Sequence, residues 1–214
     1  MSARRIALLG AESTGKTQLA RELATHFQAR GLRVALVAEV LREWCARAGR
    51  TPRPEEQLPI AQEQERRVDA AAAAHEVVIA DTTALMVAVY SGMLFADGTL
   101  HLFALQRQRG YQATLVTGLD LPWVADGLQR DGPHVRQPVD QLVRAALQRA
   151  GVDFQVVYGR DAARLASALA ALASLGFAGR SAARAEPDAS RPWAWNCDKC
   201  SDPECEHKLF SRLV

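Results

Sequence analysis

The chain has 214 residues, nearly half of them apolar, and a net charge of only +2. That length suits one α/β domain plus appendages, with enough chain to bury a core. The small Lys+Arg excess argues against a general nucleic-acid binder. No apolar run approaches the roughly 20 residues that span a bilayer, and Met1 to Arg5 leads into a strand without an apolar leader, so cytoplasmic location is expected.

Strand-like apolar runs alternate with helical patterns for most of the length. Arg5 to Leu9 reads as a first strand, followed by a loop over Gly10 to Thr17 and a helix to about Arg30, stopped by Gly31. Leu32 to Ala38 is a second strand, Glu39 to Ala48 a helix, and Glu55 to Ala74 a long amphipathic helix whose first turn Pro59 threatens to break. Glu76 to Ala80 is a short buried strand ending at Asp81; helices follow over Thr83 to Phe95 and Leu100 to Arg109. Gln112 to Thr117 is the next strand, and residues 118–138 have the Gly, Pro and charge content of a loop. A helix over Pro138 to Ala150, a strand over Phe154 to Tyr158 and a helix over Asp161 to Leu175 complete the pattern. Such alternation implies a mostly parallel sheet covered by helices on both faces, a three-layer α/β fold. The domain is expected over residues 1–175, a linker over 176–192 and a small Cys-rich tail over 193–214.

Gly10-Ala11-Glu12-Ser13-Thr14-Gly15-Lys16-Thr17 is a complete Gly-x-x-x-x-Gly-Lys-Thr loop between a strand and a helix. Gly10 and Gly15 let successive N–H groups turn toward phosphate oxygens. Glu12, Ser13 and Thr14 form the rest of the cradle. Lys16 places a point charge near the β- and γ-phosphates, Thr17 offers a hydroxyl to Mg²⁺, and the following helix aims its positive end at the same anion. A nucleoside-triphosphate site, ATP or GTP, is expected there.

Ligands of open parallel sheets sit beyond the carboxyl ends of the strands, where Glu39, Asp81 and Asp120 fall. Asp81 suits the second Mg²⁺-associated acid, or else caps the next helix. Glu39, with Arg42 and Trp44, opens a helix. The carboxylate can accept a proton from an attacking ribose hydroxyl, Arg42 can meet phosphate or substrate, and Trp44 either borders the acceptor or fills the core. Which of Glu39 and Asp81 is the base stays open. In the loop after the fourth strand, Trp123 offers a flat face and Asp120 and Asp126 offer carboxylates to ribose hydroxyls, an acceptor clamp. Arg130 and Arg136 suit a lid that neutralises the transferring phosphoryl group.

Together the phosphate loop, Glu39-x-x-Arg42-Glu43, Asp81-Thr82-Thr83 and Pro122-Trp123-Val124-x-Asp126-Gly127-Leu128 resemble the kinase domain of the NadR-type nicotinamide-riboside kinases, a P-loop AAA-like ATPase/kinase family. The resemblance covers roughly residues 4–175. It implies a P-loop kinase fold, ATP with Mg²⁺, and phosphorylation of a nucleoside ribose at its 5′-hydroxyl, with nicotinamide riboside the first candidate. Glu39-x-x-x-x-Trp44 also resembles a deoxynucleoside-kinase motif, which supports Glu39 as base. The family's third motif usually reads Asp-Thr-Asp, whereas this chain has Thr83. The alternative reading is a regulatory ATPase that signals to a protein partner through its tail.

That tail carries Cys197, Cys200, Cys205 and His207 within eleven residues. Thiolates and imidazole at this density suit a structural Zn²⁺, against free thiols, an iron–sulfur cluster or a redox pair. Trp193, Trp195 and Phe210 would pack such a unit on the domain, a second copy or a partner. Cys45 is expected as a buried apolar residue.

Overall fold

A computed structural model describes residues 2–96, 98–124 and 132–177. Five strands form one fully parallel sheet in the order β2-β3-β1-β4-β5: β1 (Arg4–Leu9), β2 (Val34–Val37), β3 (Val77–Asp81), β4 (Ala113–Thr117) and β5 (Gln155–Val157). Leu8 of β1 stands opposite Asp81 of β3 and Leu115 of β4, which brings the ends of the three central strands level.

Period-two alternation sorts the strand residues between two helical layers. Ile6, Leu8, Val77, Ile79, Ala113 and Leu115 face α1 (Lys16–Gln28) and α7 (Asp161–Ser174), meeting Leu19, Leu23, Phe27, Ala168 and Leu172. Ala7, Leu9, Val78, Ala80 and Val116 face the other layer, built from α2 (Val40–Ala48), α3 (Pro54–Ala74), α4 (Ala84–Phe95), α5 (Thr99–Gln108) and α6 (Arg136–Arg149). The expected three-layer α/β fold of the P-loop kinase type is the one observed. Among the described residues, no helix is long and apolar enough to cross a membrane.

Two prolines behave unlike their local signal. Pro59 lies inside α3, which runs unbroken from Pro54 to Ala74. The helix is held at its start by Glu56, which accepts the Arg53 N–H (2.7 Å) and a bidentate pair from Arg50 (2.7 Å each). These partners hold the Glu56 carboxyl down at about 2. Pro138 is the third residue of α6, which starts at Arg136, because the first-turn N–H groups of a helix have no intrahelical acceptor to lose.

The described chain closes on Phe177, at the end of the compact unit Met1–Phe177. Its ring is 4% exposed, 5.8 Å from the Phe27 ring, with the Arg4 guanidinium stacked 4.7 Å above it. Its N–H donates to Leu172 O (2.8 Å), so the packed core extends two residues past the point where sequence composition turns linker-like. The residues beyond, with Cys197, Cys200, Cys205 and His207, lie outside the described ones. Phe177→Ala is expected to cost about 2–4 kcal/mol, read as a lowered urea midpoint at unchanged m-value.

Candidate nucleotide site

The site starts from a contact that excludes any side chain. Gly10 has φ +140°, and a Cβ added to it would lie 2.2 Å from Thr117 Oγ1. That hydroxyl, at the end of β4, donates to Leu9 O (3.1 Å) and sits 2.7 Å from Thr14 Oγ1, which is also 2.7 Å from Ala11 O. The phosphate loop is thereby folded back on the strand that precedes it. Gly15, at φ +72°, turns the chain into α1. Lys16, 8% exposed, bends its Nζ over the loop and donates to Gly10 O (2.9 Å) and Ala11 O (2.7 Å). Glu12 is buried, and Ser13 takes a positive φ of 53°.

Across β1 on the other side, Thr17 Oγ1 donates to Asp81 Oδ2 (2.5 Å). Asp81 Oδ1 is buried with no hydrogen-bond partner. A hydroxyl touching a carboxylate whose second oxygen is orphaned is a hard-oxygen donor set that fits Mg²⁺. The structure thus joins the two residues that the sequence assigned to the metal. Thr82, next in the chain, holds φ +72°, a costly conformation for a β-branched residue and one found disproportionately at functional sites.

Glu39 forms the N-cap of α2, so the helix starts one residue later than expected. Its side chain is 12% exposed and lies 3.3 Å from the half-exposed Arg42 guanidinium. Burial pushes its pKa up; Lys16 and Arg42 pull it back, and the Asp81 charge adds to the rise. Lys16, Thr17, Asp81, Glu39 and Arg42 therefore belong to one electrostatic cluster. Gln64 of α3, 1% exposed, fixes its edge by accepting the Val40 N–H (2.9 Å). Trp44 is half-buried and packs on the core with Arg50 stacked 4.9 Å from its ring, as the core reading of this indole expects.

The loop after β4 is only partly described. Val124 clasps Ser13, its carbonyl accepting from Ser13 Oγ (2.7 Å) and its N–H donating back (3.1 Å), so Trp123 is held at the tip of the phosphate loop. Asp126 and Arg130 lie outside the described residues. Arg136 is 8% exposed and donates through Nη2 to Leu119 O (3.3 Å), while its Nε is buried without a hydrogen-bond partner. Burial draws its pKa down, opposed by the Asp120 charge.

Asp120 corrects the sequence reading. It is no free ribose acceptor, because Oδ2 takes the Gly159 N–H (2.7 Å) and Oδ1 pairs with Arg164 (3.4 Å). Arg164, 4% exposed in α7, also donates to Gly159 O (2.9 Å) and to Thr14 O. Sequence reasoning missed Arg164 and Thr117. The first carried a signal: it continues the buried stripe of α7 through Ala168 and Leu172, and an arginine on an apolar stripe demands buried acceptors. Among the described residues no group of three His, Cys, Asp or Glu could hold a metal.

No curated protein matches the chain. Among solved structures it resembles a NadR protein in complex with NR (TM-score 0.67, 17% identity, 85% of this chain and 53% of that one). A NadR protein in complex with NAD and AMP-PNP is similar at TM-score 0.65 and 15% identity, over 85% of this chain and 51% of the other. Thymidylate kinase from Ehrlichia chaffeensis follows at 0.56 and 14%, over 82% of this chain and all of that one. The chain thus spans about half the length of the NadR structures it matches, and at these identities what is shared is the fold. Its sequence from residue 5 to residue 164 matches the AAA domain family, and the chain belongs to it.

Proposed function

We propose that the chain is an ATP-dependent kinase that transfers a phosphoryl group to the ribose hydroxyl of a nucleoside, with nicotinamide riboside the first substrate to test. The observation that carries it is the placement of a buried carboxylate, Glu39, in the charge cluster of Lys16 and Asp81. A nucleotide switch needs only the loop and the metal acid; a proton acceptor on the acceptor side is what transfer to a hydroxyl adds. The motif order and the NadR-like fold support the same reading.

In this proposal the loop amides and α1 hold the phosphates, and Lys16 exchanges its carbonyl partners for phosphate oxygens. Thr17 and Asp81 would hold Mg²⁺, which when bound neutralises charge on the β- and γ-phosphates. Glu39 takes the proton of the ribose hydroxyl as it attacks, and Arg42 keeps that carboxylate oriented. Arg136, a buried guanidinium with an unused N–H, serves the transferring phosphoryl group, and Arg130 is proposed to join it from the lid. Trp123 and Asp126 serve the substrate, the indole at the phosphate end.

Incubation with ATP, Mg²⁺ and a nucleoside panel tests the proposal. A phosphorylated nucleoside is the expected product, while ATP hydrolysis indifferent to every nucleoside would instead support the regulatory ATPase. Glu39→Gln should lower kcat about 10²–10⁴-fold with little change in the KM for ATP.

The same substitution has a stability signature. The folded pKa of Glu39 lies above its ordinary 4.5, so between those values the folded protein binds more protons than the unfolded chain. Stability from protonated Glu39 is therefore present below 4.5 and is lost as pH rises through the folded pKa. Urea melts of nucleotide-free protein at pH 4.5 and 8 should show wild type losing stability relative to Glu39→Gln at the higher pH. A constant difference would mean that Glu39 is not strained by burial.

A further inference from the structure

The sheet order divides the nucleotide site into two sides. Glu39 and Asp81 stand at the ends of β2 and β3, on one side of β1; Asp120 and Gly159 follow β4 and β5 on the other. Phosphoryl transfer aligns attacking and leaving oxygens across phosphorus. With the proton acceptor on the β2–β3 side, the leaving nucleoside diphosphate extends toward β4 and β5. The nucleoside end of the donor therefore falls by the loop after β5, where Gly159 has φ +102° and Asp161 φ +47°.

Arg164 connects the two ends of that path. One nitrogen, Nη2, donates to Thr14 O within the phosphate loop. The other, Nη1, donates to Gly159 O (2.9 Å) and pairs with Asp120 Oδ1 (3.4 Å), while Asp120 Oδ2 takes the Gly159 N–H (2.7 Å). Both backbone polar groups of Gly159, its N–H and its C=O, are thus bound by one ion pair, and that ion pair grips the phosphate loop. Arg164 Nε is buried without a hydrogen-bond partner and would lie 3.8 Å from a Cβ on Gly15. A planar guanidinium with fixed donors is suited to hold three backbone and carboxylate oxygens at set spacing, which a lysine cannot do.

We propose that Arg164, with Asp120, is a positioning residue that fixes the span between the phosphate loop and the loop after β5. The polyphosphate and the nucleoside of a nucleoside triphosphate are then bound as one unit. The inference rests on the nucleotide site of the proposed function and adds to it a device for reading the whole nucleotide. Two linked subsites bind a ligand that spans both far better than either binds a fragment, provided their geometry is held. Loosening the brace penalises the spanning ligand and spares the fragment.

Calorimetry with Mg²⁺·ATP and with Mg²⁺·tripolyphosphate tests this. Arg164→Ala should weaken ATP about 10–100-fold and tripolyphosphate by less than about 3-fold. The KM for ATP should rise in parallel while the KM for the acceptor holds. Because loss of a buried guanidinium can prevent folding, Asp120→Ala is the second variant. It frees Gly159, keeps the Arg164–Thr14 bond, and should show the same selectivity for ATP at smaller amplitude. If Arg164→Ala does not fold, Asp120→Ala decides alone. Equal losses for both ligands, or no loss for either, in folded variants would overturn the proposal while leaving the nucleotide site intact. Wild-type protein that binds neither ligand would overturn both.

Discussion

The ends of β1 and β4 approach so closely that nothing larger than hydrogen fits between Gly10 and the Thr117 hydroxyl. From that approach the rest of the site follows. Thr117 ties Leu9 and Thr14 into one hydrogen-bonded group, so the phosphate loop takes its curvature from β4 as much as from its own glycines. The loop then releases α1 with Thr17 on the opposite side of β1, where β3 delivers Asp81. Because Asp81 and Leu115 both stand level with Leu8, the central strand is braced from both neighbours at one height. An open parallel sheet offers its ligand crevice where connections diverge to either side of a strand, and here that strand is β1.

The buried charges make this arrangement costly for folding and useful for chemistry. Lys16 is nearly buried yet satisfied by loop carbonyls, an exchange that phosphate oxygens can take over without further desolvation. Glu39 is held against its own preference to neutralise, offset by Lys16 and Arg42. A carboxylate raised in this way is a better proton acceptor at neutral pH than a fully solvated one, at the expense of stability. Asp81 keeps one oxygen unsatisfied, which a purely structural helix cap would have no reason to do.

Much of the fold was legible in the sequence because period and punctuation agreed. The apolar run before Gly10, the stop at Gly31 and the isolated Val77 to Ala80 run each matched an element within a residue or two. Prolines misled where their position within a helix, rather than their presence, decided the outcome, as at Pro59 and Pro138. At the site, the meeting of Thr17 with Asp81 was foreseeable because each position is tied to a local pattern, the phosphate loop and a strand-ending acid. Thr117 and Arg164 were missed, since the partner they share, Thr14, lies 103 and 150 residues before them, and only the strand order brings them to it. Asp120 was misread for the same reason: a strand-end acid looks alike whether it faces a ribose or an arginine from a helix 44 residues on.

The departure at Thr83 from the Asp-Thr-Asp pattern of the NadR-type kinases that the sequence resembles finds its physical context in the second helical layer. Thr83 is 1% exposed, and its hydroxyl accepts the Leu85 N–H (3.2 Å) as the cap of α4 while donating to Gln108 Oε1 (2.7 Å). Gln108, fully buried, passes its amide to Thr114 of β4 (3.0 Å). An ionised aspartate at 83 could still accept the cap hydrogen bond, but it has no proton to give, and Gln108 Oε1 would then face a carboxylate in the core. Thr83, Gln108 and Thr114 are therefore one choice rather than three, a neutral chain that links α4, α5 and β4. Beside it Glu65 takes the Ala84 N–H (3.0 Å) and the Tyr111 hydroxyl (3.1 Å), securing the same helix start from α3. The position that looks from sequence like a lost acid is thus part of the frame that holds α4, two residues beyond Asp81, and its change bears first on how that frame is built.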